Sequence, residues 1–243
     1  MISKHGIPIF VAVFVLFRTM TLDAVTGDSS EEDIGFRNFL SQTNSSSPLE
    51  TAGAHGSTGL RIGAGMTSIP LAVESESLAH EELALTSKEP VQNVVAPKLW
   101  ITKGIFYPLD VGMTASTLPG GATQGGGYAQ WTLYEEFARP AFSVRFGGSK
   151  IFGLQKSDIM SRNAELVASW GIYFVSAYIA AGIMENSLTT HTNEEVTSKQ
   201  WTNPVKTFGI ALQILPPFVH ISTEVRQIAN LPPAISAKMS LGI

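Results

Sequence analysis

Beyond residue 57 the chain alternates apolar and polar residues, segment after segment. Leu60, Ile62, Ala64 and Met66 are interleaved with Arg61, Gly63, Gly65 and Thr67. The same period of two runs through 109–116, 142–147, 175–183 and 219–226, and the chain ends on it at 235–243. Weaker versions lie at 97–105, 127–136, 164–172 and 205–214. Successive side chains of a strand point to opposite faces, so this period describes sheet with one apolar and one polar face. The segments predict about ten strands, each about as long as a tilted strand needs to be to cross a bilayer.

Connection lengths carry a second signal. The stretch 70–95 is long and acidic, whereas the turn at Phe106-Tyr107-Pro108 is tight. Then 117–126, 149–163 and 185–204 read as longer loops, separated by tight turns at 137–140, 171–174 and 215–217. Only 229–233 is short where a long loop is expected. Long and short in turn is the construction of an all-β, antiparallel transmembrane β-barrel, with loops outside and turns in the periplasm. Eight or twelve strands are the alternatives to ten.

Composition narrows the choice. Only 15% of the 243 residues are charged, 44% are hydrophobic, and mean hydropathy is +0.16. After the N-terminal segment no run of about 18 apolar residues exists, which excludes a helical membrane protein. A net charge of −4 gives no electrostatic footprint for nucleic acid. Without Cys there is no disulfide framework, thiolate metal site or lipoprotein attachment. A soluble exported β-barrel binding protein is the rival reading, but its water-facing side should be highly charged. Here the polar positions hold mostly Gly, Ser, Thr and Ala, as a narrow lumen would. Aromatic residues also gather at segment ends (Phe106, Tyr107, Phe137, Phe152, Trp170, Tyr173, Phe218), which suggests interfacial girdles.

At the N-terminus, Lys4 and His5 precede an apolar run at 7–17 that Arg18 closes. That pattern predicts a secretory signal peptide, 1–27, with small residues before Asp28 for cleavage. Residues 28–57 are rich in Ser, Thr, Asn and Glu, and Ile34, Phe36, Phe39 and Leu40 suggest a short helix. The expectation is a periplasmic lead-in to a barrel at 58–243, and hence a bacterial outer-membrane location.

Several motifs resemble a family of uncharacterised proteobacterial outer-membrane β-barrel proteins. Lys98-Leu99-Trp100-Ile101-Thr102-Lys103-Gly104 followed by Leu109-Asp110-Val111-Gly112 resembles the second hairpin of that family. Arg139-Pro140-Ala141 with Val144-Arg145, and Ala168-Ser169-Trp170-Gly171-Ile172 with 177–182, resemble two further strands. Trp170 stands where the family has Lys, and Ala177 where it has Pro. The final segment is similar to the C-terminal assembly signal of such proteins, although Ile243 replaces its usual aromatic residue. The resemblance implies insertion by the barrel assembly machinery and brings no activity with it.

Continuing the alternation inward names the charges of the lumen: Arg61, Arg145, Arg226 and Lys238 against Asp110, Glu136, Glu165 and Glu224. The two signs balance, which suggests mutual ion pairing rather than the one-signed lining of a selective pore. His220, Ser222 and Glu224 share one face and are the weak catalytic candidates. His-x-Ser on a barrel strand is similar to the lipid A deacylases, so a lipid-modifying enzyme is the functional alternative. Yet strand neighbours two apart stand about 6.5–7 Å from one another, beyond direct proton transfer. In the first loop Glu74, Glu76, Glu81, Glu82 and Glu89 read as a solvated acidic run. No metal motif or cofactor signature is present, and oligomeric state leaves no trace in the pattern. The first expectation is a non-enzymatic envelope protein (structural, surface-interacting or a narrow, porin-like conduit) with outer-membrane lipids and lipopolysaccharide as its partners.

Overall fold

In a computed structural model of the chain the described residues are 31–45, 51–71, 83, 93–136, 140–172, 174–191, 196–215, 219–229 and 231–242. The predicted signal peptide, the five glutamates of the first loop, Phe137, Tyr173, Phe218 and Ile243 lie outside them. One helix, α1 (Glu31–Thr43), precedes ten strands: β1 (Leu60–Pro70), β2 (Asn93–Phe106), β3 (Leu109–Thr117), β4 (Thr123–Tyr134), β5 (Ala141–Phe152), β6 (Ser157–Ile172), β7 (Val175–His191), β8 (Val196–Leu215), β9 (Val219–Ile228) and β10 (Ala234–Gly242). Each strand pairs antiparallel with its neighbours in the chain, and β1 pairs with β10 to close the barrel. No helix among the described residues is long and apolar enough to cross a membrane.

The faces are inverted relative to a water-soluble barrel. Ile62, Leu99, Met113, Phe146, Ile179, Phe208 and Ile235 all point outward and are largely exposed, while Asp110, Arg145, Glu165, Glu224 and Lys238 point inward and are buried. An apolar exterior over a polar interior is the arrangement that lipid demands, because closure pairs every strand edge and leaves side chains alone to meet the hydrocarbon. The fold is that of an antiparallel transmembrane β-barrel. An aromatic band marks the end where β1 begins, called here the lower end. Phe106, Trp131, Tyr134, Phe142, Trp170 and Phe174 are exposed there, with the Phe106 and Trp131 rings edge-on at 6.2 Å. At the upper end the expected girdle is sparse, with Phe152 as its outward aromatic.

Two expected loops are strand. The stretches 149–163 and 185–204 are largely taken up by β5 and β6, and by β7 and β8. β7 has 17 residues and β8 has 20, well beyond the roughly 9–11 that cross a bilayer. Their upper parts reverse the pattern. Arg162, Glu185 and Lys206 now face outward, whereas Ile151, Ile159, Met184, Leu188, Trp201 and Val205 face inward. Above the apolar belt the wall therefore has the polarity of a soluble barrel, and such a wall needs an apolar occupant.

α1 is that occupant. Phe36, Phe39 and Leu40 form one buried cluster with inward residues Ile69, Val94, Ala96, Ile151, Ile159, Leu188 and Trp201. The lead-in of residues 28–57 was expected to carry a short helix, and that helix is seated within the upper lumen, a place that the sequence did not suggest. The physical reason lies in that apolar inner row, which would face water without it. Further down, residues 51–55 lie at the lower end of the lumen and lead into β1.

Candidate functional site

The lumen is the site that the fold defines, and its lower half is a charge network. Arg226 on β9 reaches across to Glu165 on β6, with Nη2 at 2.5 Å from Oε1. Arg145 on β5 approaches the same carboxylate at 3.9 Å and donates from Nε and Nη2 to Gln130 Oε1 at 3.0 and 2.6 Å. Glu224 accepts from Tyr178 Oη at 2.9 Å and lies 3.7 Å from Lys238 Nζ, which also sits over the Trp100 ring. Thr102 and Tyr128 share a hydrogen bond beside Arg145. Charges buried this deeply stabilise the fold only when paired and hydrogen-bonded, so removing one partner leaves the other at high cost.

Tyrosine placement depends on small neighbours. Tyr178 and Tyr128 lie flat against Gly209 and Gly112 on the adjacent strands, and a Cβ at either glycine would collide with the ring. Each glycine thus provides the hollow in which a lumen tyrosine rests, and Gly209 indirectly holds the contact between Tyr178 and Glu224.

The described parts of the N-terminal segment, 31–45 and 51–55, are bonded to this lining at both levels. In the upper lumen Trp201 Nε1 donates to Ser41 Oγ at 3.2 Å, and Gln42 Nε2 to Pro232 O at 2.8 Å. Asn44 Nδ2 donates to Ser161 Oγ at 2.8 Å, and Ser149 Oγ donates to Asn44 O at 2.5 Å. The carbonyl of Ser45 accepts from Lys98 Nζ at 2.7 Å and Gln124 Nε2 at 2.9 Å. At the lower end Ala52 N donates to Ser169 Oγ and Thr132 Oγ1 donates to Ala52 O. His55 clasps Asp110 through its backbone N–H and through Nδ1, which lies 2.8 Å from Oδ2.

Of the residues expected in the lumen, Arg61, Asp110, Arg145, Glu165, Glu224, Arg226 and Lys238 occupy inward positions. Glu136 does not. A register irregularity between Thr132 and Tyr134 ends the β4 ladder, and Glu136 lies past it, exposed and accepting from Tyr134 Oη at 2.5 Å. Lys98 faces inward, as does His55 at the clasp. Counted among the described side chains, Arg61, Lys98, Arg145, Arg226 and Lys238 outnumber Asp110, Glu165 and Glu224, so the expected balance of signs gives way to a basic lining. Lys98 shares its parity with Trp100 and Thr102 and was legible from the strand pattern. His55 lies outside any strand and had no periodic signal.

The three catalytic candidates lie along β9, and the contacts of two of them run to other residues. His220 Nε2, one of the two ring nitrogens able to accept a serine proton, lies 3.5 Å from Arg61 Nη2. Glu224 is engaged by Tyr178 and Lys238 rather than by an imidazole. Among the described residues no group of three or more His, Asp or Glu is placed to hold a metal ion.

No protein-family model matches the chain, and no curated protein matches it by sequence. Several solved structures are similar in shape. Ail, the attachment invasion locus protein of Yersinia pestis, is 13% identical, over 76% of this chain and 93% of its own, with a TM-score of 0.32. The KdgM porin is 6% identical over 76% and 98%, with a TM-score of 0.36. Outer membrane phospholipase A from Escherichia coli is 10% identical over 76% and 92%, also with a TM-score of 0.36. Similarity at this level carries no argument about activity, and the class of the fold rests on the strand pairing and inverted faces described above.

Proposed function

We propose that the chain is a non-enzymatic outer-membrane barrel of a Gram-negative envelope, closed by its own N-terminal segment, which acts at the surface of its raised wall rather than as an open pore. One observation carries this reading: α1 is seated in the upper lumen by apolar packing and polar bonds together. Phe36, Phe39 and Leu40 are each less than 5% exposed, inside a wall whose outer belt is built for lipid. Packing of that kind favours a permanent occupant over a loosely held gate. The exterior supports membrane insertion, since Met113 and Leu99 stand 68% and 63% exposed on a face with few charges. A lipid-modifying activity would use His220 as the base for Ser222, and the contacts from His220 to Arg61 and from Glu224 to Tyr178 and Lys238 favour the non-enzymatic reading.

Planar-bilayer recording tests the reading. The full chain should give small or absent conductance, and a variant lacking 31–45 should conduct. A large, stable, one-signed conductance from the full chain would overturn it in favour of a porin. Insertion is checked separately by heat-modifiable gel mobility and resistance to carbonate extraction.

A further inference from the structure

Along β6 the outward row passes from Trp170, Ala168, Leu166 and Ala164 to Arg162 in one step. On β8 it passes from Leu212, Ile210 and Phe208 to Lys206, and on β5 from Phe146, past Gly148, to Lys150. A basic side chain therefore stands at the upper edge of the apolar belt on three strands. Arg162 pairs in register with Gly148, which has no side chain to lay over it. Beside it lies a groove of about 370 Å³, lined by Lys150, Met160, Arg162, Glu185, Ser187 and His191 among others. Two carboxylates temper the charge. Asp158 is held by Lys150 Nζ at 3.0 Å and by His191 Nε2 at 3.3 Å, and Glu185 stands opposite Arg162 in register.

We propose that this groove binds the phosphate of a phosphorylated glycolipid in the outer leaflet, with Arg162 and Lys150 as its principal contacts. The proposal rests on the membrane reading above and, for the lipopolysaccharide expected as a partner, adds the site and the residues that would hold its phosphate. The chemistry is specific to the level of these residues. Acyl chains would lie against the belt below, and the first polar group encountered above them is a headgroup. A guanidinium matches phosphate oxygens with paired donors, and a neighbouring ammonium adds a point charge. Lys150 already lies over the outward Phe152 ring, at 5.4 Å, which keeps its stem on the wall and its charge at the groove. The raised wall of β6 and β7 then offers Ser187 and Thr189 to sugar hydroxyls.

The test uses the full-length protein, refolded into neutral-headgroup micelles and titrated with bis-phosphorylated lipid A or its dephosphorylated counterpart, with bound lipid counted by native mass spectrometry. The wild type should prefer the phosphorylated lipid by about tenfold, the scale of one or two charge-assisted hydrogen bonds. Arg162→Gln with Lys150→Gln should abolish the preference. Asp158→Asn, which releases the Lys150 ammonium, should strengthen binding by about threefold. Equal binding of the two lipids, or an unchanged preference in the double variant with folded gel mobility, would overturn the proposal. Insertion into vesicles is scored separately. A protein that does not insert overturns the membrane reading and this proposal together, whereas one that inserts and binds both lipids alike overturns this proposal alone.

Discussion

Arg226 Nη2 lies 2.5 Å from Glu165 Oε1, joining two strands that are not neighbours and so bridging the lumen from wall to wall. Glu165 also faces Arg145. Replacing it with Gln leaves two buried guanidinium groups facing each other without their shared anion. Glu165→Gln should cost about 3–5 kcal/mol, read from the urea midpoint of heat-modifiable mobility. Changing Glu165 and Arg226 together to Met should recover more than half of that loss.

The plug should loosen before the barrel does. Leu40 is fully buried in the cluster that seats α1, and Leu40→Ala should weaken that seating by about 2–5 kcal/mol. The measurement is limited proteolysis, which should cut within 31–45 at urea concentrations that leave the strands protected. Simultaneous loss of both would show that plug and wall unfold as one unit.

Gly209→Ala should act at a distance. The added methyl would collide with the Tyr178 ring, push it off β8 and withdraw its hydroxyl from Glu224. The expected cost is about 1–3 kcal/mol, together with a change in tyrosine near-ultraviolet dichroism. Gly125→Ala, whose added Cβ would meet only the Phe152 ring at 3.6 Å, an ordinary contact, isolates the steric effect.

The lipid-facing surface has its own test. Met113→Arg, in the middle of the outward row of β3, should cost about 2–4 kcal/mol of insertion into vesicles. Full insertion of that variant at wild-type yield would contradict the assignment of faces.

Ester hydrolysis gives the opposite kind of expectation. Ser222→Ala and His220→Ala should leave the lipid A mass of expressing cells unchanged from that of cells expressing the wild type. A shift that depends on Ser222 would reinstate the enzyme.

The lower part of the wall was legible because each outward row there meets one solvent, lipid, and each inward row another. Rows such as Leu109, Val111, Met113 and Ala115 therefore carry an unbroken period of two. Above the belt the period continues with its sense exchanged. Trp201, Asn203 and Val205 turn inward while Thr202, Pro204 and Lys206 turn outward, so a reader following lipid-facing apolar residues finds mixed polarity and assigns loop. The charge network was legible as a set of inward residues but not as a set of pairs. Glu136 was placed by extending a period through a bulge that ends it. Nor could strand periodicity show that α1 fills the lumen, since the partners of Leu40 are drawn from strands scattered over more than a hundred residues.

Of the N-terminal segment, 31–45 sits in the upper lumen and 51–55 at its lower end, where Asp110 clasps His55 just before β1 begins. If β1 and β10 zipped together first, the preceding residues would have to thread a finished tube packed with side chains. If the segment is seated first, the strands wrap around it and no threading is needed. A chain without 31–45 should then close the seam between Arg61 and Gly242 on a different timescale from the whole chain, which refolding followed by heat-modifiable mobility would show. Equal rates would mean that the plug is no template for winding the cylinder.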